Sequence, residues 1–371
     1  MRVCLDIQAG VAQRAGVGRY TRMLAEHLPA LAGADEISFF YFDFRGQGIP
    51  LQVPRDRQRA LRWCPGRVVQ AAWKALRWPP FDWLAGRADL YHFPNFVLPP
   101  VRSGKTVVTV HDASFVRYPE FAETRNLRYL AARIHDTLRR ADAVITDSEF
   151  SGAELRDLLH AASEKVFPIH PGIASDLTRA PDEAVRRLRA EFGLDRPYLL
   201  TVGTLEPRKN LPFLVTVFEA LSAYDGDLVI AGMPGWKYEP ILARMKASPR
   251  AARIRYIQYV PDEALPALYT GAELFVFPSL YEGFGFPPLE AMACGTPVVS
   301  STGGSLSEAL GDAALMVGEF APEAWTHSVT RALTDSELRA RLVEAGRRRA
   351  AAYTWAETAR RTWDVYRKVA G

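Results

Sequence analysis

Cysteine is scarce in this 371-residue chain: Cys4, Cys64 and Cys294 are the only three. With no CxxC pair and no His-rich cluster beside them, they exclude a disulfide scaffold and a structural zinc site and fit a reducing cytosol. Long apolar runs are missing as well. No stretch reaches the roughly 18 uninterrupted apolar residues that a spanning helix needs. The opening MRVCLDIQAG lacks a basic segment followed by an apolar one, so no signal peptide and no export are expected. Neither sign of charge dominates: 46 Lys and Arg against 42 Asp and Glu leave +4, too little by itself to indicate nucleic acid. At 48% hydrophobic and 24% charged, the composition excludes a disordered or collagen-like chain.

What the chain does have is length and rhythm. Its 371 residues exceed what one core usually organises, so two domains of under about 200 residues each are expected. Short Val/Ile/Leu/aromatic runs alternate with longer amphipathic stretches, the pattern of βα units and of mainly parallel sheets. Strands are expected at 3–7, 38–42, 90–93, 106–111 and 143–146, then at 198–202, 228–231, 254–256, 274–277, 297–300 and 314–317. Helices are expected between them, most clearly at 18–28 and 126–140, with Asp147-Ser148 as the N-cap of a third reaching about His160. The loose, charged stretch 168–197 reads as an interdomain connection, and two amphipathic helices, 336–353 and 355–369, close the chain. No short repeat occurs; what recurs is the αβ architecture, two halves in tandem.

The most informative segment is YEGFGFPPLEAMACGTPVV, residues 281–299, at the carboxyl end of an expected strand, where open parallel sheets place ligands. In its turn, Gly283, Phe284, Gly285 and Phe286, the glycines let backbone amides approach a ligand. The helix beginning near Pro287 favours an anion, and phosphate is the natural guest. Glu282 in the loop and Glu290 in the first helical turn are acceptor-only groups able to hold a polyol's hydroxyls on either side of that phosphate. Either glutamate alone would read as a helix-end complement or a solvated loop residue. Both, with the glycines and the diproline between them, read as a ligand site.

The spacing from Glu282 to Glu290 resembles the signature of the retaining glycosyltransferases of family 4, whose fold is GT-B. The resemblance extends over nearly the whole chain: a GVGRY turn after the first strand, HDASF from His111, SEFSGAEL from Ser148, VGTLEPRKN from Val202, and VVSSTGGSLSE from Val298. The wording is most similar to bacterial mannosyl- and rhamnosyltransferases that build lipopolysaccharide and exopolysaccharide chains. It implies two facing Rossmann-like domains with mainly parallel sheets. These are an acceptor-binding domain at 1–175 and a nucleotide-sugar-binding domain at 190–354, with a C-terminal helix, 355–371, crossing back to the first.

In VGTLEPRKN, Arg208 and Lys209 place two cations beside a helix start; a guanidinium binds phosphate bidentately and an ammonium neutralises a departing diphosphate. A basic surface turn is the alternative. Many relatives carry arginine after the glycine, where this chain has Thr204, which throws the phosphate load on Arg208 and Lys209. Gly16 and Gly18 stand between the first strand and first helix and can present amides to a pyrophosphate, although Thr21 replaces the third glycine of a full GxGxxG. The resemblance puts that loop near the donor phosphates. It also gives His111, at the end of the strand TVVTVH, a hydrogen bond to the transferred sugar. Asp112 either touches the acceptor or forms an Asx turn. No Asp-x-Asp pair stands at a strand-to-loop boundary, so no metal and no cofactor are expected. The resemblance implies retention through a same-face, oxocarbenium-like path.

Residues 55–87 hold eight basic and two acidic residues with Trp63, Trp73, Trp78 and Trp83 interleaved. An anionic inner-leaflet surface met by Trp63, Trp73, Lys74, Arg77 and Trp78 is one reading, and a basic helix with its tryptophans packed inward is the other. No nucleic-acid motif accompanies the charge. The expected activity is transfer of a hexose, mannose from GDP-mannose, to a polyprenyl-diphosphate-linked glycan by a cytoplasmic protein that is peripheral on the membrane. His111 and Glu282 are the expected catalytic residues. A UDP-glucose or UDP-N-acetylhexosamine transferase, a 2-epimerase, and a non-catalytic nucleotide-sugar-binding protein are the alternatives.

Overall fold

Thirteen short apolar strands form two parallel sheets in the computed structural model, which describes residues 1–13, 16–121 and 123–371, with the backbone alone at 124–126. The first sheet comprises β1 Arg2–Asp6, β2 Glu36–Phe42, β3 Gln58–Leu61, β4 Leu90–Phe93, β5 Lys105–Thr109, β6 Ala143–Thr146 and β7 Val166–Pro168, in the order β3-β2-β1-β4-β5-β6-β7. The second comprises β8 Tyr198–Val202, β9 Asp227–Ala231, β10 Ile254–Ile257, β11 Leu274–Phe277, β12 Val298–Ser301 and β13 Leu315–Val317, in the order β10-β9-β8-β11-β12-β13.

Both orders are doubly wound. Each sheet grows one way from its first strand and then reverses, between β1 and β4 in the first and between β8 and β11 in the second. The carboxyl ends of the strands flanking such a reversal diverge into a crevice, the ligand position of this architecture. Strands covered on both faces should be apolar throughout, and β4, β6, β9, β11 and β12 are buried at every residue.

The chain divides into two units. One contains Met1–Arg117, Thr124–Gly172 and Trp355–Gly371; the other contains Tyr118–Glu123 and Ile173–Thr354. The C-terminal helix Trp355–Ala370 belongs to the first unit: Tyr366 Oη meets His92 Nδ1 at 2.6 Å, Thr358 Oγ1 donates to His170 O at 2.9 Å, and Arg361 Nη2 donates to Pro168 O at 2.9 Å. In the second unit, the Tyr118–Glu123 segment accepts from Trp236 Nε1 at Phe121 O and from Lys237 Nζ at Glu120 O.

Four local readings are corrected. β3 (QRAL) and β7 (VFP) had no sequence signal, because three- and four-residue edge strands carry too little apolar run to register. The charged stretch before β8 contains a helix, Asp182–Phe192, whose apolar edge includes the buried Leu188. β5 stops at Thr109, so His111 lies in the loop beyond it. The helix Glu149–Leu159 is capped by Ser148, which accepts from Ser151 N, while Asp147 is engaged elsewhere.

Candidate functional site

The loops leaving β8 and β11 meet at the reversal of the second sheet. After β8 the chain reaches Gly203, and a Cβ on Gly232 of the neighbouring loop would lie 2.0 Å from Gly203 O, so only glycine allows that approach. A tight helical turn follows, Pro207–Lys209, with Pro207 supplying its φ and Asn210 taking the left-handed conformation (φ 53°) that starts the helix Leu211–Ala220. Its Arg208 carbonyl ties it to the other loop: Leu280 N donates to Arg208 O at 2.8 Å, and Ser279 Oγ lies 3.2 Å from the same oxygen.

This pairing places Arg208 and Lys209 on Glu282. Arg208 Nη1 donates to Glu282 Oε2 at 2.7 Å and to Tyr281 O at 2.6 Å, and Lys209 Nζ donates to Glu282 Oε1 at 2.6 Å. Ser279 Oγ donates to Oε1 at 2.6 Å, the third bond to the carboxylate. A further carboxylate, which no sequence argument singled out, completes the cluster: Glu206 Oε1 accepts from Arg208 Nη2 at 2.6 Å, and Glu206 is only 2% exposed. The available signal was an acid two positions ahead of the Arg-Lys pair at a strand end. Two cations thus face two carboxylates in a buried network. Burial by itself would raise the Glu282 pKa; the Arg208 and Lys209 charges with the donated hydrogen bonds outweigh it and hold the carboxyl down at about 2. Glu282 is therefore an anion that orients two cations, and both of its oxygens are occupied.

The loop after β12 presses on the same turn. A Cβ at Gly304 would lie 2.3 Å from Glu282 O and one at Gly303 2.5 Å from Leu280 O, while Ser305 N and Oγ both donate to Glu282 O at 3.0 Å. Hence the GG of SSTGGS is a requirement of packing against Glu282.

The helix after the turn, Phe286–Ala293, starts from Gly285 at φ 110°. Of the four amides that a helix start leaves unpaired, Pro287 and Pro288 have no hydrogen, so Gly285 and Phe286 carry what this terminus can offer an anion. Glu290 is the fifth residue of the helix rather than part of its first turn, is buried, and accepts from Tyr269 Oη at 2.7 Å. The Phe284 ring faces the core, with its centroid 5.3 Å from those of Tyr353 and Phe286. The described structure thus joins Glu282 with Arg208 and Lys209 and holds the Glu290 carboxylate on Tyr269.

In the first unit, the Arg14-Ala15 part of QRAGVGRYTRML lies outside the described residues. Gly16 has φ 57°, and a Cβ there would meet nothing within 4 Å among the described residues. Gly18 differs: its Cβ would lie 2.1 Å from Gln13 O, which makes it a packing glycine. His111 is buried, with Nδ1 2.8 Å from Asp147 Oδ2 and Nε2 3.1 Å from Pro94 O. Asp112 Oδ1 accepts from Ser114 N at 2.9 Å and from Ser114 Oγ at 2.6 Å, the Asx turn that was the alternative to an acceptor contact.

Within residues 55–87 the structure separates the tryptophans. Trp73 is half-buried and turns its ring inward, 5.9 Å from Phe42 and 6.1 Å from Phe81, with Nε1 donating to Pro79 O at 2.6 Å. Trp63, Trp78, Lys74 and Arg77 are exposed.

Residues 185–349 match the family of glycosyl transferases group 1, and residues 14–177 match Glycosyltransferase Family 4. The chain is similar to O-antigen chain mannosyltransferase B of Escherichia coli, 31% identical over 95% of this chain and 96% of that one. It is also similar to D-inositol 3-phosphate glycosyltransferase of Salinispora tropica, 29% identical over 76% of this chain and 62% of that one. Among solved structures, sucrose-phosphate synthase from Thermosynechococcus elongatus superposes with a TM-score of 0.77 at 23% identity, covering 100% of this chain and 99% of that one. The two doubly wound sheets and these matches make the fold GT-B and the protein a glycosyltransferase, a member of the group 1 and family 4 glycosyltransferases to which the O-antigen mannosyltransferases belong.

Proposed function

We propose that this glycosyltransferase moves mannose from GDP-mannose to a hydroxyl of a lipid-linked glycan, with retention at the anomeric carbon and without a metal. The observation that carries the reading is the pair of cations at the reversal of the second sheet. Arg208 and Lys209 stand at the carboxyl end of β8, bound to a glutamate from the loop after β11, in a buried setting where they count for more than at a surface. The choice of mannose follows from the mannosyltransferase relative matched over almost its full length.

In the proposed reaction the bond from the anomeric carbon to the diphosphate oxygen breaks and the acceptor oxygen bonds to that carbon on the same face. The acceptor proton passes to the departing phosphate. Arg208 suits the diphosphate because its planar fork, once exchanged from Glu206 and Glu282, matches two phosphate oxygens, and Lys209 adds a point charge. The Gly285 and Phe286 amides support the same anion. These fixed charges would supply the neutralisation that a divalent ion supplies where paired aspartates hold one.

The acceptor's lipid anchor would bring the protein to an anionic inner leaflet. Supporting this, Trp63 and Leu76 are each 73% exposed and Trp78 is 57% exposed, among the exposed Arg62, Arg67, Lys74 and Arg77.

The experiment is a panel of GDP- and UDP-sugars offered to the protein with a lipid-linked acceptor, with NMR of the product linkage. Transfer from GDP-mannose with the donor's α configuration kept is the expected result. Preference for a UDP-sugar would overturn the donor assignment, and inversion would overturn the mechanism.

A further inference from the structure

Two buried histidines of the first unit have partners of opposite kinds. His92 meets two hydroxyls, Tyr366 Oη at 2.6 Å from Nδ1 and Thr109 Oγ1 at 2.8 Å from Nε2. A hydroxyl donates or accepts, so a neutral ring is satisfied there. His111 meets Asp147 Oδ2 at 2.8 Å and the Pro94 carbonyl at 3.1 Å. Both are acceptors. A neutral imidazole would turn a lone pair toward one of these two oxygens; only a ring carrying hydrogen on both nitrogens satisfies the pair.

We propose that Asp147 is a positioning residue that keeps His111 an imidazolium, so that Nε2–H, held by the Pro94 carbonyl, stays a donor throughout the transfer reaction. Asp147 is suited to this because the other oxygen of its carboxylate, Oδ1, is buried with no hydrogen-bond partner among the described residues, where His111 is its counter-charge. Removing either charge would strand the other. The backbone is held in register too, since Ser151 Oγ from the helix Glu149–Leu159 donates to His111 O at 3.2 Å.

Among the described residues, the groups around the ring are few. Tyr20, from the helix Val17–His27, packs edge-on at 4.9 Å, and its buried hydroxyl is pushed up, away from ionisation. Phe96 packs at 5.6 Å. Asp112 adds negative charge next in sequence, while burial and the His111 charge together hold His92 neutral, down at about 3. Burial opposes the charge on His111, and the Asp147 carboxylate with the two hydrogen bonds overrides it, so its pKa is raised. A raised pKa on a cation means the charged form persists to higher pH than in a free imidazole and is lost as pH rises through the raised value.

Because the activity readout rests on the proposed transfer reaction, the test has an arm independent of it. Protein labelled with ¹⁵N-histidine is titrated by NMR, and the His111 resonances are identified by their loss in His111→Gln. In the native protein one of the seven histidines should hold hydrogen on both ring nitrogens above pH 6.5. In Asp147→Asn that ring should lose the second proton roughly 1–3 pH units lower. A His111 ring that is singly protonated at pH 6.5 in the native protein overturns the proposal, whether or not Asp147→Asn folds. In the second arm the alkaline limb of kcat should shift down by the same interval in Asp147→Asn. An Asp147 serving structure alone would lower the yield of folded protein and leave the limb in place, which also overturns the proposal. Absence of transfer by the native protein would count against the transferase chemistry and leave the NMR arm to decide the ring.

Discussion

Removing the Glu282 charge with Glu282→Gln tests the buried network directly. The carboxyl falls from the 4.5 of a free glutamate to about 2; at about 1.36 kcal/mol per tenfold step, its ionised form is worth about 3 kcal/mol to the fold. Glutamine keeps the shape and leaves Arg208 and Lys209 buried beside each other with Glu206 as the remaining carboxylate, a loss of about 3–5 kcal/mol. For a unit of this size that corresponds to a fall in Tm of roughly 6–20 °C. Lys209→Met should cost a comparable amount, since it strips one of two cations from Glu282. The double variant should cost less than the sum of the two by about 1.5–3 kcal/mol, because the pair touches at 2.6 Å. The assay is urea unfolding read by tryptophan fluorescence, in which Trp325, fully buried, reports on the second unit. The sign with pH also follows: a depressed acid stabilises fully above pH 4.5 and loses that contribution as pH falls through about 2, so the gap between native protein and Glu282→Gln should narrow over that window. Additivity of the single variants within about 0.5 kcal/mol would refute the reasoning.

Three more predictions concern the first unit. Gly18→Ala should destabilise strongly, because the new methyl would sit 2.1 Å from Gln13 O; Gly16→Ala meets no atom of the described residues and should cost only the strain of a positive-φ backbone (φ 57°, ψ −126°) that favours glycine, about 1–3 kcal/mol, as read by thermal unfolding. Trp73→Ala should cost about 1–3 kcal/mol, because the half-buried ring loses its packing on Phe42 and Phe81 and its bond to Pro79 O. Trp63→Ser with Trp78→Ser should leave stability within about 0.5 kcal/mol and weaken sedimentation with anionic liposomes; unchanged liposome binding would refute the surface assignment.

Much of the architecture was legible because it depends on local pattern. The period-2 and continuous apolar runs marked eleven of the strands, and the Pro and Gly positions marked the loops at their carboxyl ends. The short edge strands β3 and β7 were invisible, since their stability comes from the neighbouring β2 and β6 and not from their own composition. The family's segments were equally legible, being contiguous: Arg208-Lys209, the turn from Glu282, and the paired glycines 303 and 304.

Which groups touch could not be read, because contacts join residues far apart in sequence. Glu282 looked like a free acceptor for a sugar, and the fold spends both its oxygens on Arg208, Lys209 and Ser279. Asp147 looked like half of a helix cap, and the fold turns it to His111 across 36 positions. Trp73 and Trp78 share one composition, and only packing sends the first inward. Residue types and their spacing determined the kind of protein, since strand pattern and turn chemistry act within a few residues. The protonation of His111, the pairing of Glu282 and the burial of each tryptophan were decided by tertiary structure, because charge and desolvation act through space.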